Sequence, residues 1–135
     1  MQFEYFYDRQ EMQYAFYRIP KMLFQDKCFS ALSTDAKLLY GILIDRMELS
    51  ATNGWKDSKG RIYVYCPIEE IRKIFQCGND KAVKLLKELD AVQGIGLIEV
   101  VRRGKGEPNQ IYLMDFSVRK EKVERGGGDI EEEEI

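Results

Sequence analysis

The sequence contains no histidine. That absence removes the commonest general base, so Ser-His and Cys-His nucleophilic catalysis are excluded and acid–base work would fall to carboxylates or lysine. Cysteine is sparse: Cys28, Cys66 and Cys77 are odd in number and widely separated. They read as free thiols in a reducing compartment, neither a disulfide framework nor a zinc site. No apolar run is long enough to cross a bilayer, and the N-terminus MQFEYFYDRQ lacks the basic, apolar, small-residue order of a secretory signal. A cytoplasmic protein without membrane association is expected. GKGEPN at 104–109 is glycine-rich but lacks the spacing and the Lys-Ser/Thr pair of a phosphate-binding loop, which excludes nucleotide hydrolysis. Asp35, Asp45, Glu69 and Glu70 fall at ordinary capping or surface positions of expected helices, so no catalytic residue, metal or cofactor is expected.

What is present fits one soluble domain. The 135 residues are 44% hydrophobic, enough for a core, with 33% charged and 12% aromatic residues. The net charge of −2 argues against an anionic partner until its distribution is read. Residues 118 to 135 hold four bases and seven acids, which leaves the rest of the chain at +1. Between 72 and 105 there are eight bases against four acids. Positive charge concentrated in one stretch is what an electrostatic footprint for nucleic acid requires.

Along the chain, residues 1–19 form an aromatic-rich arm in which QYAFYRIP has the character of an extended strand. KMLFQD is expected as a short helix, with Lys27 to Ala31 as a turn. LSTDAKLLYGILIDRMELS predicts a long buried helix, with Leu32 as staple, Ser33 as N-cap and Asp35 in the first turn. ATNGWKDSKG follows as a polar turn and RIYVYC as a strand. Pro67 opens the helix PIEEIRKIF; Gly78 and Asn79 break it, and DKAVKLLKELDAVQ forms another helix that stops at Gly94. LIEVVRR and QIYLMDF make a hairpin around GKGEPN. The tail over 118–135, with a glycine triplet and the run Glu131 to Glu134, reads as an acidic flexible linker. Helix, strand, helix, tight turn, helix and hairpin in that order predict an α+β winged helix-turn-helix over 20–117, with the hairpin as the wing and residues 1–19 as an N-terminal extension.

At roughly 100° per residue, Ala82, Leu85, Leu86, Leu89 and Val92 share one arc of the last helix. Asp80, Lys81, Val83, Lys84, Lys87 and Glu88 face away. Val83 is then an exposed apolar residue among lysines, placed either to meet a thymine methyl in a major groove or to touch a neighbouring loop. Asn79 is placed to reach a base edge and the lysines to reach phosphates. On the wing, Arg102, Arg103 and Lys105 are expected to approach phosphate or a minor groove, with the glycines at 104 and 106 removing side-chain bulk. The candidate DNA-contacting residues are therefore Asn79, Asp80, Lys81, Val83, Lys84, Lys87, Arg102, Arg103, Lys105 and Asn109. The residues alone leave open a transcriptional regulator of a mobile element, and a winged helix that binds protein and never DNA.

FYRIPKMLF, LSTDAKLLYGILIDRMELSATNGWKDSKGRIYVY, IEEIRKIFQCGNDKAVKLLKEL and GLIEVVRRGKGEPNQIYL, approximately Tyr17 to Phe116, resemble the N-terminal domain of the plasmid replication initiator A family of Gram-positive bacteria. The resemblance implies sequence-specific binding of double-stranded DNA at direct repeats, or iterons, of a replication origin, in the bacterial cytoplasm on plasmid or nucleoid DNA. It also implies a homodimer, and host replication proteins engaged through a separate C-terminal domain that this sequence does not contain. The family's recognition helix corresponds to Asn79 through Leu89 and its wing to Arg102 through Asn109. Two departures stand out. Pro67 sits where a Ser or Thr cap is expected, and DAVQGIGLIE is a longer link between helix and wing than the family's usual one, which is expected to tilt the recognition helix.

Overall fold

The computed structural model describes residues 1–117 and the backbone of Lys122–Val123 and Ile130–Glu131. After a 3-10 turn at Gln10–Gln13 come α1 (Met22–Gln25), a second 3-10 turn (Lys27–Phe29), α2 (Thr34–Asn53), α3 (Ile68–Phe75) and α4 (Asn79–Leu89). Strands β1 (Ile98–Val101) and β2 (Gln110–Leu113) pair antiparallel, with Ile98 opposite Leu113 and Val101 opposite Gln110. The expected acidic tail lies outside the described residues, apart from a short antiparallel pairing of Lys122–Val123 with Ile130–Glu131. The architecture is the winged helix that the order of elements predicts.

Ser33 starts α2 as expected: its backbone is extended and its Oγ accepts from Ala36 N at 3.1 Å. The helix runs past Ser50 to Asn53, three residues into the segment expected to be a polar turn, because Gly54 at φ 78° supplies the left-handed residue that ends it. Its apolar stripe places Leu39, Ile42 and Leu43 at or near zero exposure. Ile71 from α3, Leu85 and Leu89 from α4, and Ile98 and Ile111 from the hairpin complete the core. α4 packs on both α2 and α3. Gln76, left-handed at φ 52°, turns the chain sharply between α3 and α4, with Gly78 at the N-cap of α4.

Three expectations need correction. The strand expected over QYAFYRIP does not form: residues 14–19 pair with no sheet edge, and the arm is exposed as far as Arg18. Its aromatics meet each other instead, Phe6 against Tyr14 and Tyr14 against Phe16. The arm joins the body where Arg18 and Ile19 cross α2, close enough to Gly41 that a Cβ there would stand 2.7 Å from Ile19 Cγ1, and Arg18 pairs with Glu48.

RIYVYC is reduced to single bridges. Val64 and Ile111 exchange two backbone hydrogen bonds (2.8 and 2.9 Å) on the free edge of β2, and Lys56 bridges Ile62. The intervening turn is held by Asp57, whose carboxylate accepts from Lys59 N, Arg61 N, Arg61 Nε and the Tyr112 hydroxyl.

The last helix stops at Leu89, well short of Gly94. Asp90 accepts from Val92 N and Gln93 N (3.0 and 3.2 Å), turning the chain, so Val92 is 89% exposed and no part of the buried arc. An Asx turn outcompetes helix continuation here. The link thereby becomes a cap: Gly94 N donates to Asp90 O, Ile95 N to Glu88 O and Leu97 N to Leu89 O, satisfying carbonyls at the end of α4.

Candidate nucleic-acid interface

Because α4 ends at Leu89, its three flanks are well defined. Ala82, Leu85 and Leu89 face the core. Lys81 and Glu88, seven residues and so about two turns apart, lie on the flank toward α2. Val83 and Leu86 lie on the flank toward the hairpin, and Asp80, Lys84 and Lys87 are left on the outside or nearly so.

On the hairpin flank a cleft of about 310 Å³ opens between α4 and the wing. Ile68, Val83, Leu86 and Val100 give it an apolar lining, and Lys87, Asp90, Gln93, Arg102 and Asn109 line it with polar groups. Of the two placements expected for Val83, exposure among the lysines or contact with a neighbouring loop, the structure shows it half-buried, lining the cleft between helix and wing. A second hollow of about 240 Å³ shares Ile68, Leu86, Val100 and Asn109 and continues toward Pro108 and Glu107. Lys87 and Arg102, fifteen positions apart in sequence, thus face one groove.

The wing separates its two arginines. Along β1, Ile98 and Val100 point inward and Glu99 is exposed; continuing that alternation sends Arg102 into the cleft and Arg103 to the opposite face. There Arg103 Nη1 donates to Gln110 Oε1 at 3.4 Å, and its Nε stands 3.9 Å from Glu107 Oε2. Burial and the neighbouring Tyr65 push the Tyr63 phenol upward, and Arg103 is near enough to oppose that shift. Gly104 (φ 105°) and Gly106 (φ 81°) form the tip around exposed Lys105, with Glu107 N donating to Gly104 O at 3.3 Å.

Asn79 is the first residue of α4 and is exposed beside Gly78, where an added Cβ would meet nothing within 4 Å. Asp80 is also exposed. Lys81 is bound differently from its fellow lysines: Nζ lies 2.7 Å from Asp35 Oδ2, and the hydrogen bond and charge of Asp35 raise its pKa. Among the described residues no carboxylate pairs with Lys84, Lys87, Arg102 or Lys105. Nor, among those residues, does any group of three Cys, Asp or Glu stand ready for a metal ion, and no helix is long and apolar enough to cross a membrane.

The sequence reading passed over Glu88. Its Oε1 accepts from Ser33 N and its Oε2 from Ser33 Oγ, both at 2.8 Å across 55 positions of chain. In a capping box a Glu three residues after the cap bonds back to the cap's N–H. Here that position is Ala36, and Glu88 of another helix does the work. The missing Glu at 36 was a local signal that the donor of Ser33 needed a partner; nothing local said which.

The family model described as Replication initiator protein A (RepA) N-terminus matches residues 15–125. A 41 kDa protein of Lactobacillus helveticus is 30% identical over 105 residues, a match covering 73% of this chain and 29% of that protein, so the chain spans under a third of this relative's length. Among solved structures, the N-terminal domain of a DNA binding protein is 37% identical with a TM-score of 0.66, covering 84% of this chain and 85% of its own. A Rep-DNA complex matches at 37% identity and a TM-score of 0.67, over 83% of this chain and 84% of that one. The structure of an MDR initiator matches at 34% and 0.63, over 83% and 86%.

Proposed function

The chain belongs to the replication initiator protein A (RepA) N-terminus family, and from that membership we propose that it is the double-stranded DNA-binding domain of a replication initiator, reading direct repeats at an origin. The observation that carries the reading is the shared cleft: Lys87 from α4 and Arg102 from the wing line one groove, and Lys84 is exposed on the outer face of the same helix. The solved relative in a Rep-DNA complex supports the same ligand.

In this reading α4 enters the major groove. Asn79, at its N-terminal end, reaches a base edge, and Val83 offers methyl groups to a thymine at the mouth of the cleft. Lys84, Lys87, Arg102 and Lys105 neutralise phosphates, and the two wing glycines let the backbone approach the duplex. Binding and positioning are the whole of the chemistry; no covalent step is assigned to any residue. Self-association belongs to the same proposal, with the exposed aromatics of residues 3–16 as its contact surface, as does a host replication partner engaged through a further domain.

Selection of duplexes from a random pool, followed by footprinting, tests the reading. Protection of tandem repeats in one orientation is expected, and failure to retain any duplex at low salt would defeat it. Within the same assay Lys84→Ala should weaken selected and random duplexes alike, by about three- to tenfold, because a phosphate contact carries no sequence information. Asn79→Ala should relax preference at one base position and spare random DNA; equal losses on both would remove Asn79 from base reading.

A further inference from the structure

Both polar ties between α4 and α2 run from one flank of α4 to the first turn of α2. Glu88 accepts from the backbone N–H and the hydroxyl of Ser33, and Lys81 pairs with Asp35, two residues further on. The Ser33 hydroxyl in turn accepts from Ala36 N. The N-terminus of α2 favours the Glu88 carboxylate placed against it, so the tie has a defined direction as well as a length. The opposite flank of α4 carries Val83 and Leu86 into the cleft beside Val100. Any rotation of α4 about its axis that loosened the first pair of contacts would move the second.

We infer that Glu88 and Lys81 are positioning residues for sequence-selective DNA binding: they set the rotation of α4 against α2, and so the direction in which Asn79, Val83 and Lys87 point, without touching DNA. The inference rests on the DNA-binding reading and deepens it. It also divides the lysines of α4. Lys84 and Lys87 take phosphates, whereas Lys81 is already held by Asp35 and acts as a strut.

Phosphate contacts tolerate a small rotation of the helix and base contacts do not, so selectivity is the property that loosening should move. Affinities of Glu88→Ala, Glu88→Gln and Lys81→Met would be measured on a duplex enriched by the unaltered protein and on random duplex of equal length, with methyl NMR of Val83 and Leu86 in the free protein. Glu88→Ala should lose about tenfold on the enriched duplex, the scale of one misplaced base contact, while random-duplex affinity holds or rises as a negative charge leaves. The Val83 and Leu86 methyl resonances should shift. Glu88→Gln, whose amide oxygen still accepts from Ser33, should keep most of the selectivity. Lys81→Met should leave the salt dependence of binding unchanged, where loss of a phosphate contact would make it shallower by about one.

A folded Glu88→Ala protein with unchanged selectivity and unmoved methyls overturns the inference, as does equal loss on both duplexes or a shallower slope for Lys81→Met. If Glu88→Ala does not fold, Glu88→Asp, one methylene too short to span both donors, carries the same test. If the unaltered protein enriches no duplex and binds random duplex no better, the DNA-binding reading fails, and the methyl shifts alone decide whether Glu88 sets the rotation of the helix.

Discussion

Gly94→Ala is expected to lower stability by about 3 kcal/mol, toward the upper end of what overpacking costs, and the melting temperature by roughly 10–20 °C for a domain of this size. A Cβ on Gly94 would stand 2.2 Å from both Glu88 O and Lys87 O and 2.5 Å from Glu88 C, all backbone atoms at the end of α4. No side-chain rotation relieves that clash, so the link must lift away. With it go the bonds from Ile95 N to Glu88 O and from Leu97 N to Leu89 O, which hold the start of β1 to α4. The substitution therefore strikes the joint between α4 and the wing as well as global stability. Gly78→Ala is the matched control: φ is −83° and nothing lies within 4 Å of the added methyl, so a loss of about 1 kcal/mol or less is expected from a poorer N-cap residue. Thermal unfolding of the two variants side by side decides the matter, and similar melting temperatures would refute the packing account of the link.

That joint is also where sequence and structure part. The starts of α2 and α4 and the two strands of the wing were legible because caps and periodicity are local signals; the break between α3 and α4 was expected at Gly78 and Asn79 but falls at left-handed Gln76, with Gly78 as N-cap and Asn79 already in α4. The end of α4 was not. Val92 continues the helical apolar phase, and only the Asx turn of Asp90, a competing local arrangement of equal plausibility, sends it into solvent. The arm misled for a different reason: its composition suits a strand, but a strand needs an edge, and the fold offers none there. In the site, the residue types were legible and their grouping was not. Arg102 and Arg103 read as one cationic cluster, whereas Arg102 lines the cleft and Arg103 reaches Gln110. Lys81 read as one more outward lysine because its partner Asp35 lies on another helix, and Glu88 was missed because Ser33 is 55 positions away. Contacts between helices distant in sequence leave almost no trace in a single chain.

The division of the two wing arginines gives the sharpest functional expectation. Each phosphate neutralised steepens the dependence of log affinity on log salt by about 0.9, so the slope counts cations that reach the duplex. With Lys84, Lys87, Arg102 and Lys105 engaged, a slope near −4 per protomer is expected. Arg102→Ala should make it shallower by about one and cost about tenfold in affinity, the worth of roughly 1.4 kcal/mol for a hydrogen bond to a charged group. Arg103→Ala should leave the slope nearly unchanged, since that guanidinium is turned to the other face toward Gln110 and Glu107. Both residues lie at the surface, so neither change should disturb folding, and melting temperatures verify this. The double variant Lys87→Ala with Arg102→Ala then resolves what their shared cleft holds. Two separate phosphates give additive losses, about a hundredfold together, and a slope shallower by nearly two. One phosphate gripped from both sides gives a change of slope near one, and coupled losses that fall short of the sum. A slope that follows Arg103 and ignores Arg102 would mean that the duplex lies against the other face of the wing, and the cleft between helix and hairpin would lose its role.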